Sequence, residues 1–247
     1  MRILLLNPNT TPAITELVAR EARKLAAPGV EIVPATSTFG AKYIVTRAGY
    51  AIAAHAALDA WAKHDAQTDA TLLACFGDPG LGALRELSAK PVVGMLDAAV
   101  DATGGKRYAI VTGGALWDGI LREILAASGK DKTLAGIRTV APSGAEIAAD
   151  PDMAIASLVE AIEDSAAKDG AECVILGGAG LAGLAAPIRA RTKIAIVDPL
   201  EASLRALQKA PSPQKAKAGT AMGAVPAIAS DGLSAALAAR LGGKDVL

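Results

Sequence analysis

Eight short, nearly uninterrupted apolar runs alternate with alanine-rich stretches of helical period, and no other feature of the chain restricts its fold so tightly. The runs cover residues 2–6, 30–34, 70–74, 91–94, 108–111, 137–140, 173–176 and 194–197. They lack the polar alternation of a half-exposed strand, so they predict strands covered on both faces, as in parallel sheets. Helical patterns fill residues 12–26, 46–63, 81–88, 115–127, 151–168, 181–189 and 199–209. Strand and helix in turn predict an α/β fold whose parallel sheets are flanked by helices. Thr11 before Pro12, and Asp150 before Pro151, place a capping residue ahead of a proline at the first helical position. Gly170 ends the helix begun at Pro151. Residues 210–230, rich in Ala, Pro, Gly, Lys and Ser, read as a surface arm, and a last helix over 231–241 is expected to dock on the first half.

The length, 247 residues, allows one large domain or two small ones. Lys plus Arg and Asp plus Glu both number 25, and aromatic residues make up only 3%. With no basic stripe and few rings to stack on bases, no nucleic-acid partner is expected. The first apolar run stops at Asn7-Pro8-Asn9, too short for a secretory leader. No uncharged apolar stretch reaches about 18 residues, so no membrane span is expected. Two cysteines, Cys75 and Cys173, cannot build a disulfide framework. Two histidines, His55 and His64, without a Cys-x-x-Cys, leave little for a transition metal, and no metal site is expected. The default compartment is a reducing cytoplasm with free thiols. His55 reads as helix packing or surface, and His64, between Lys63 and Asp65, as solvated.

The pattern repeats. The strand ending at Asn7 matches the one ending at Thr112, and the strand ending at Cys75 matches the one ending at Gly177-Gly178. The two spacings agree within two residues, although any two α/β halves share spacings near this size. The segments Cys75-Phe76-Gly77-Asp78-Pro79-Gly80-Leu81 and Gly178-Ala179-Gly180-Leu181-Ala182-Gly183-Leu184 then fill equivalent strand-to-helix turns. Two pseudo-symmetric domains follow, residues 1–96 with 205–247 and residues 97–204. Facing each other, they bring four strand ends to one crevice, where ligands of open α/β sheets bind. Asp78, Asp97 and Asp198 follow strands and read as helix caps, Asp78 for the helix that begins just beyond Pro79.

Cys75 stands where four apolar residues end and a Gly-Asp-Pro-Gly turn begins. A thiol there sits over backbone N–H groups at a helix start, which stabilise a thiolate. The competing reading is a small buried filler, a common use of free cysteine. Cys173 lies inside its strand and reads as core.

Several motifs together resemble the aspartate/glutamate racemase superfamily, and within it are most similar to hydantoin and allantoin racemases. They are Arg2-Ile3-Leu4-Leu5-Leu6-Asn7-Pro8-Asn9-Thr10-Thr11, Ala74-Cys75-Phe76-Gly77-Asp78-Pro79-Gly80-Leu81, Pro91-Val92-Val93-Gly94, Val111-Thr112 and Asp169-Gly170-Ala171-Glu172 leading into Leu176-Gly177-Gly178-Ala179-Gly180. The resemblance implies two pseudo-symmetric α/β domains with the active site in the cleft between them, no cofactor, a small-molecule substrate and a homo-oligomer. It also implies two cysteines, one per domain. One thiolate removes the proton next to a carbonyl, and the other thiol returns a proton on the opposite face. Such chemistry needs a base within about 3 Å of the carbon and donors for the enolate oxygen. Around the substrate the resemblance places Asn7, Asn9, Thr10, Tyr43, Phe76, Gly77, Thr112, Gly113, Gly178, Ala179 and Gly180.

The family's first cysteine falls on Cys75 and its second on Gly178, so one of the two bases is missing. Relatives tend to carry serine where Tyr43 stands and an acid where Val45 stands, which marks that loop for different substrate contacts. Three readings follow. The first is a racemase or epimerase of hydantoin-like or amino-acid-derived substrates with Cys75 as acid/base. The second is a one-base lyase that decarboxylates an activated malonate-like acid. Arylmalonate decarboxylase, of the same superfamily, uses a single cysteine from the second half, and a chain with Cys75 alone would be its mirror case. The third is a ligand-binding homologue without catalysis.

Overall fold

The computed structural model describes residues 1–141, 143–210, 228 and 230–242. Its first sheet contains β1 (Arg2–Asn7), β2 (Glu31–Thr36), β3 (Ala70–Leu73) and β4 (Val92–Gly94), in the order β2-β1-β3-β4. Its second contains β5 (Tyr108–Gly113), β6 (Leu134–Val140), β7 (Cys173–Gly177) and β8 (Ala195–Val197), in the order β6-β5-β7-β8. All pairings are parallel. Mapping β1 to β5 and each following strand in turn superimposes one order on the other, as the repeated sequence pattern predicts.

The helices are α1 (Pro12–Leu25), α2 (Arg47–His64), α3 (Leu81–Leu87), α4 (Met95–Ala102), α5 (Trp117–Ala127), α6 (Gly144–Ala149), α7 (Pro151–Asp169), α8 (Ala185–Arg189), α9 (Pro199–Lys209) and α10 (Ala235–Arg240). Because side chains alternate along a strand, each sheet buries two apolar faces. Leu4, Leu6 and Leu73 pack beneath α2 and α10, and Ala109, Val111, Val174 and Leu176 pack beneath α7 and α8. The opposite faces share one core: Ile3, Leu5 and Leu72 of the first sheet join Tyr108, Ile110, Cys173 and Ile175 of the second. Residues of α1, α4, α5 and α9 fill the seam, and α9 touches β3, β4 and β7. Each large apolar side chain buried there contributes about 1.5–3 kcal/mol over its exposed state. Cys173 is core, as its position in the strand predicts.

Two helices, α4 and α6, are absent from the sequence reading. The chain enters α4 directly from β4 with no loop, so nothing local announces it. The short α6 has a capping box, in which Ser143 Oγ accepts from Glu146 N while the Glu146 carboxylate accepts from Ser143 N. The expected helix over 181–189 is shorter, a 3₁₀ turn at Ala179–Leu181 followed by α8. Thr11 occupies the N-cap position of α1, but its hydroxyl donates to the Lys42 carbonyl at 2.6 Å. Gly170 closes α7 with a φ of +69°. Helix α10 docks on the first half as expected: Leu237 is buried, Arg240 Nη2 donates to Asp65 Oδ2 at 3.0 Å, and its guanidinium lies 5.1 Å from the Trp61 ring centre. The expected arm over 210–230 lies almost wholly outside the described residues. Among the described residues, no helix is long and apolar enough to cross a membrane.

Candidate active site

The ends of β1, β3, β5 and β7 meet at a cavity of about 360 Å³. The first half supplies Asn9, Ile14, Tyr43, Ile44, Val45, Cys75 and Phe76, and the second supplies Thr112, Gly113, Gly114, Trp117, Ser143, Ala145, Gly178, Ala179, Gly180 and Leu181. Of the residues singled out from sequence, Asn9, Tyr43, Cys75, Phe76, Thr112, Gly113, Gly178, Ala179 and Gly180 are on this wall, whereas Asn7, Thr10 and Gly77 are not.

Those three stand behind the wall for identifiable reasons. Asn7 is fully buried; its Nδ2 donates to Asn9 Oδ1 and Thr15 Oγ1, both at 2.9 Å, and its Oδ1 accepts from Asn9 N at 3.1 Å. It shapes the turn that carries Asn9 to the cavity. Thr10 N donates to Ala41 O at 3.1 Å and ties that turn to the loop bearing Tyr43. The Gly77 carbonyl accepts from Tyr50 Oη at 2.7 Å. At Gly77 φ is +147°, and an added Cβ would sit 2.9 Å from the Trp117 ring, so both backbone and space call for glycine.

Cys75 is 7% exposed yet forms part of the cavity wall, backed by Ile44, Ala53, Tyr50 and Trp117. The expected thiolate does not follow. Burial, followed by the nearby Asp78 charge, pushes the Cys75 thiol well above the ordinary cysteine range. Among the described residues no amide donates to its sulfur; Cys75 N bonds Leu73 O at 3.0 Å and Asp78 N bonds Cys75 O at 3.1 Å. Burial and the Asp78 charge both favour the protonated thiol.

Asp78 caps a helix, but not the one that follows it. Its Oδ1 accepts from Leu96 N at 3.2 Å and its Oδ2 from Asp97 N at 2.8 Å, which caps α4 from across the sheet. The N-cap position of α3 is Gly80. A Cβ on Gly94 would fall 2.3–2.6 Å from the Asp78 carboxyl atoms, so the Pro-Val-Val-Gly motif ends in glycine to admit that carboxylate. Burial pushes Asp78 up to about 7, with the amides of α4 pulling the other way. Asp97, expected as a cap, lies in the first turn of α4 and binds Arg85 Nη2 at 2.7 Å and Lys130 Nζ at 2.5 Å. Burial raises its carboxyl, but these two cations more than offset that and hold it below the usual range. Asp198 caps α9 as expected, accepting from Leu200 N at 2.8 Å.

In the second half, the Gly178 backbone adopts a φ of +126°; a Cβ there would approach Leu181 Cδ1 to 3.1 Å and Thr112 Oγ1 to 3.5 Å. One residue earlier, the Phe76 ring of the first half lies on the Cα of Gly177, where a Cβ would come within 2.3 Å of it. Lys, Arg, His, Asp and Glu are absent from the described lining, whose titratable side chains are Cys75 and Tyr43. His55 is exposed and packs edge-on against Phe39 at 5.0 Å, and His64 is half-buried; neither lines the cavity. No cluster of three or more potential metal ligands occurs among the described residues.

Sequence reading missed Trp117, Ile14, Ile44 and Ser143. Trp117 opens α5 five residues after Thr112, a spacing that places it over the strand end. Ser143 carried a visible signal in its capping box with Glu146. The loop bearing the half-exposed Tyr43 is linked to the second half by Arg47, whose Nε donates to Glu123 Oε2 on α5 at 2.8 Å.

The family model described as Asp/Glu/Hydantoin racemase matches residues 3–207. The hydantoin racemase of Paenarthrobacter aurescens is 32% identical over 209 residues, covering 83% of this chain and 89% of that protein. The allantoin racemase of Pseudomonas fluorescens is 34% identical with a TM-score of 0.80, over 84% of this chain and 89% of that one. The allantoin racemase of Klebsiella pneumoniae is 30% identical with a TM-score of 0.79, over 84% of this chain and 86% of that one. These likenesses support an isomerase activity of the racemase type. Given the paired sheets, the shared cavity and a match running almost from the first residue to the end of α9, the chain belongs to the Asp/Glu/Hydantoin racemase family.

Proposed function

We propose that the protein racemises or epimerises a neutral, hydantoin-like ring bearing an apolar substituent, with Cys75 as the acid/base at the carbon next to the carbonyl. The observation that carries this reading is a buried sulfur on the wall of a cavity lined by apolar side chains and strand-end backbone. A free amino acid would bring a carboxylate and an ammonium into that space with no charged side chain to meet them, which is costly. A ring of amide groups instead matches the side chain of Asn9 and the backbone at Thr112, Gly113 and Gly178–Gly180. The Asn9 Oδ1 is held by Asn7 Nδ2 and Thr11 N, which leaves its Nδ2 to donate.

In this reading the Cys75 thiol first passes its proton to water, the thiolate then takes the proton from the substrate carbon, and backbone N–H groups take up charge on the enolate oxygen. Among the described lining residues of the second half, which carries Gly178, none is titratable, so the proton on that face comes from water or from the substrate itself. The same gap favours a second reading, a one-base lyase in which the resting Cys75 thiol protonates an enediolate after carbon dioxide is lost. The Gly40–Val45 loop sets substrate choice through Tyr43 and Val45 at the rim. A homo-oligomer in a reducing cytoplasm completes the proposal.

Pure enantiomers of a 5-substituted hydantoin in deuterated water test it. We expect loss of optical activity together with exchange of the α-proton, and a loss of at least about 100-fold for Cys75→Ala. Carbon dioxide release from a prochiral malonate, abolished by Cys75→Ser, would favour the lyase. Ligand-induced thermal stabilisation with neither turnover nor exchange across a broad panel would reject both.

A further inference from the structure

We propose that Asp78 is a positioning residue for the reaction at Cys75: it clamps the turn carrying the sulfur onto the start of α4, and its buried carboxylate is the charge that sulfur meets when it ionises. The inference rests on the assignment of Cys75 as acid/base and adds a residue that does not touch the cavity.

Three independent features carry it. Asp78 is buried and holds a left-handed backbone, φ +53°, which a non-glycine residue adopts at a cost. Both carboxylate oxygens accept amides of α4, so the side chain ties the β3–α3 turn to a helix that begins 17 residues later. Gly94 has no Cβ where the carboxyl group lies, so the contact is fitted from both sides. The clamp is anchored at its other end as well, because Asp78 N donates to the Cys75 carbonyl at 3.1 Å.

The titratable and charged groups around Asp78 are few. Cys75 and, from α2, Tyr50 feel its charge, and burial together with that charge raises both. From α4 comes Asp97, itself engaged by Arg85 and Lys130. Among the described residues no cation contacts Asp78, so its negative charge, offset by the amides of α4, acts on the sulfur. The consequence is directional: Asp78 favours the protonated thiol, a proton donor at rest, and opposes the thiolate.

The test reads the sulfur itself and so does not depend on finding a substrate. Alkylation of Cys75 by iodoacetamide, followed by peptide mass spectrometry to separate it from Cys173, is measured against pH in the full-length protein. In the wild type the midpoint should lie above about 8.5, the ordinary cysteine value. In Asp78→Asn, which keeps the shape and removes the charge, it should fall by about one pH unit or more. Asp78→Ser, whose hydroxyl can accept one of the two amides, is the second charge-free variant should the first not fold. A wild-type midpoint at or below 8.5, or a folded charge-free variant whose profile superimposes on the wild type, overturns the proposal. If these shifts occur while no substrate is turned over, the proposed racemase function fails and the role of Asp78 stands.

Discussion

In the proposed function Gly178 takes the place of a second proton-transferring side chain, and its geometry decides what replacing it can achieve. The backbone there is in a glycine-favouring region, and a new Cβ meets Leu181 at 3.1 Å and Thr112 at 3.5 Å. We expect Gly178→Cys to lower stability by about 1–3 kcal/mol in urea unfolding. We also expect it to raise racemisation relative to wild type, measured by chiral chromatography, because it supplies a proton carrier on the face opposite Cys75. Asp78 sets a second expectation. Its folded-state affinity for the proton is raised, so its contribution to stability is full below the unfolded value of about 4 and is lost as pH rises towards about 7. Melting temperatures should therefore show the wild type losing ground to Asp78→Asn between those pH values; the opposite trend would contradict the buried carboxylate. At this scale the sequence exposed Cys75 and Gly178, which line the same cavity, because strand ends and turns are local. It did not expose the target of Asp78 or the protonation state of Cys75, since both depend on what a distant strand and helix bring alongside.

The strands were legible because parallel strands buried on both faces need uninterrupted apolar runs, and all eight in the sequence reading form. Helices were legible where a cap or proline marked the start, as at Pro12, Pro151 and Asp198. Helix α4 was not, because its capping carboxylate lies 17 residues before its first residue and belongs to another turn. Helix α6, six residues long, ends directly before the Asp150-Pro151 start of α7, which hides it although Ser143 and Glu146 carry its signature. Helix α10 is short, so its place depends on side chains rather than on its own length. Leu237, 2% exposed, is its apolar anchor. Leu237→Ala should cost about 2–5 kcal/mol in chemical denaturation. A variant as stable as wild type would show that the docking contributes nothing.

At the level of the whole molecule, the two sheets share a core instead of meeting across a polar interface. Phe76 lies against Gly177, and side chains from both sheets pack on α9. The Arg47–Glu123 ion pair also joins the halves, but both side chains are more than half exposed, so solvent screens it and it contributes little. Calorimetry should therefore show one cooperative transition with matching van't Hoff and calorimetric enthalpies. Two resolved transitions would contradict the shared core. The twofold repeat was legible in the matched spacings together with the equivalent strand-to-helix turns, but the merging of the two interiors was not, because it depends on which face of each strand turns inward. The merged interior also separates what is easy to alter from what is not: neither copy can be replaced by an unrelated domain without baring hydrocarbon to water, whereas the chemistry rests on a few atoms at the strand tips. New reactions on this scaffold are thus reached by editing those tips one residue at a time, with the masonry beneath left untouched.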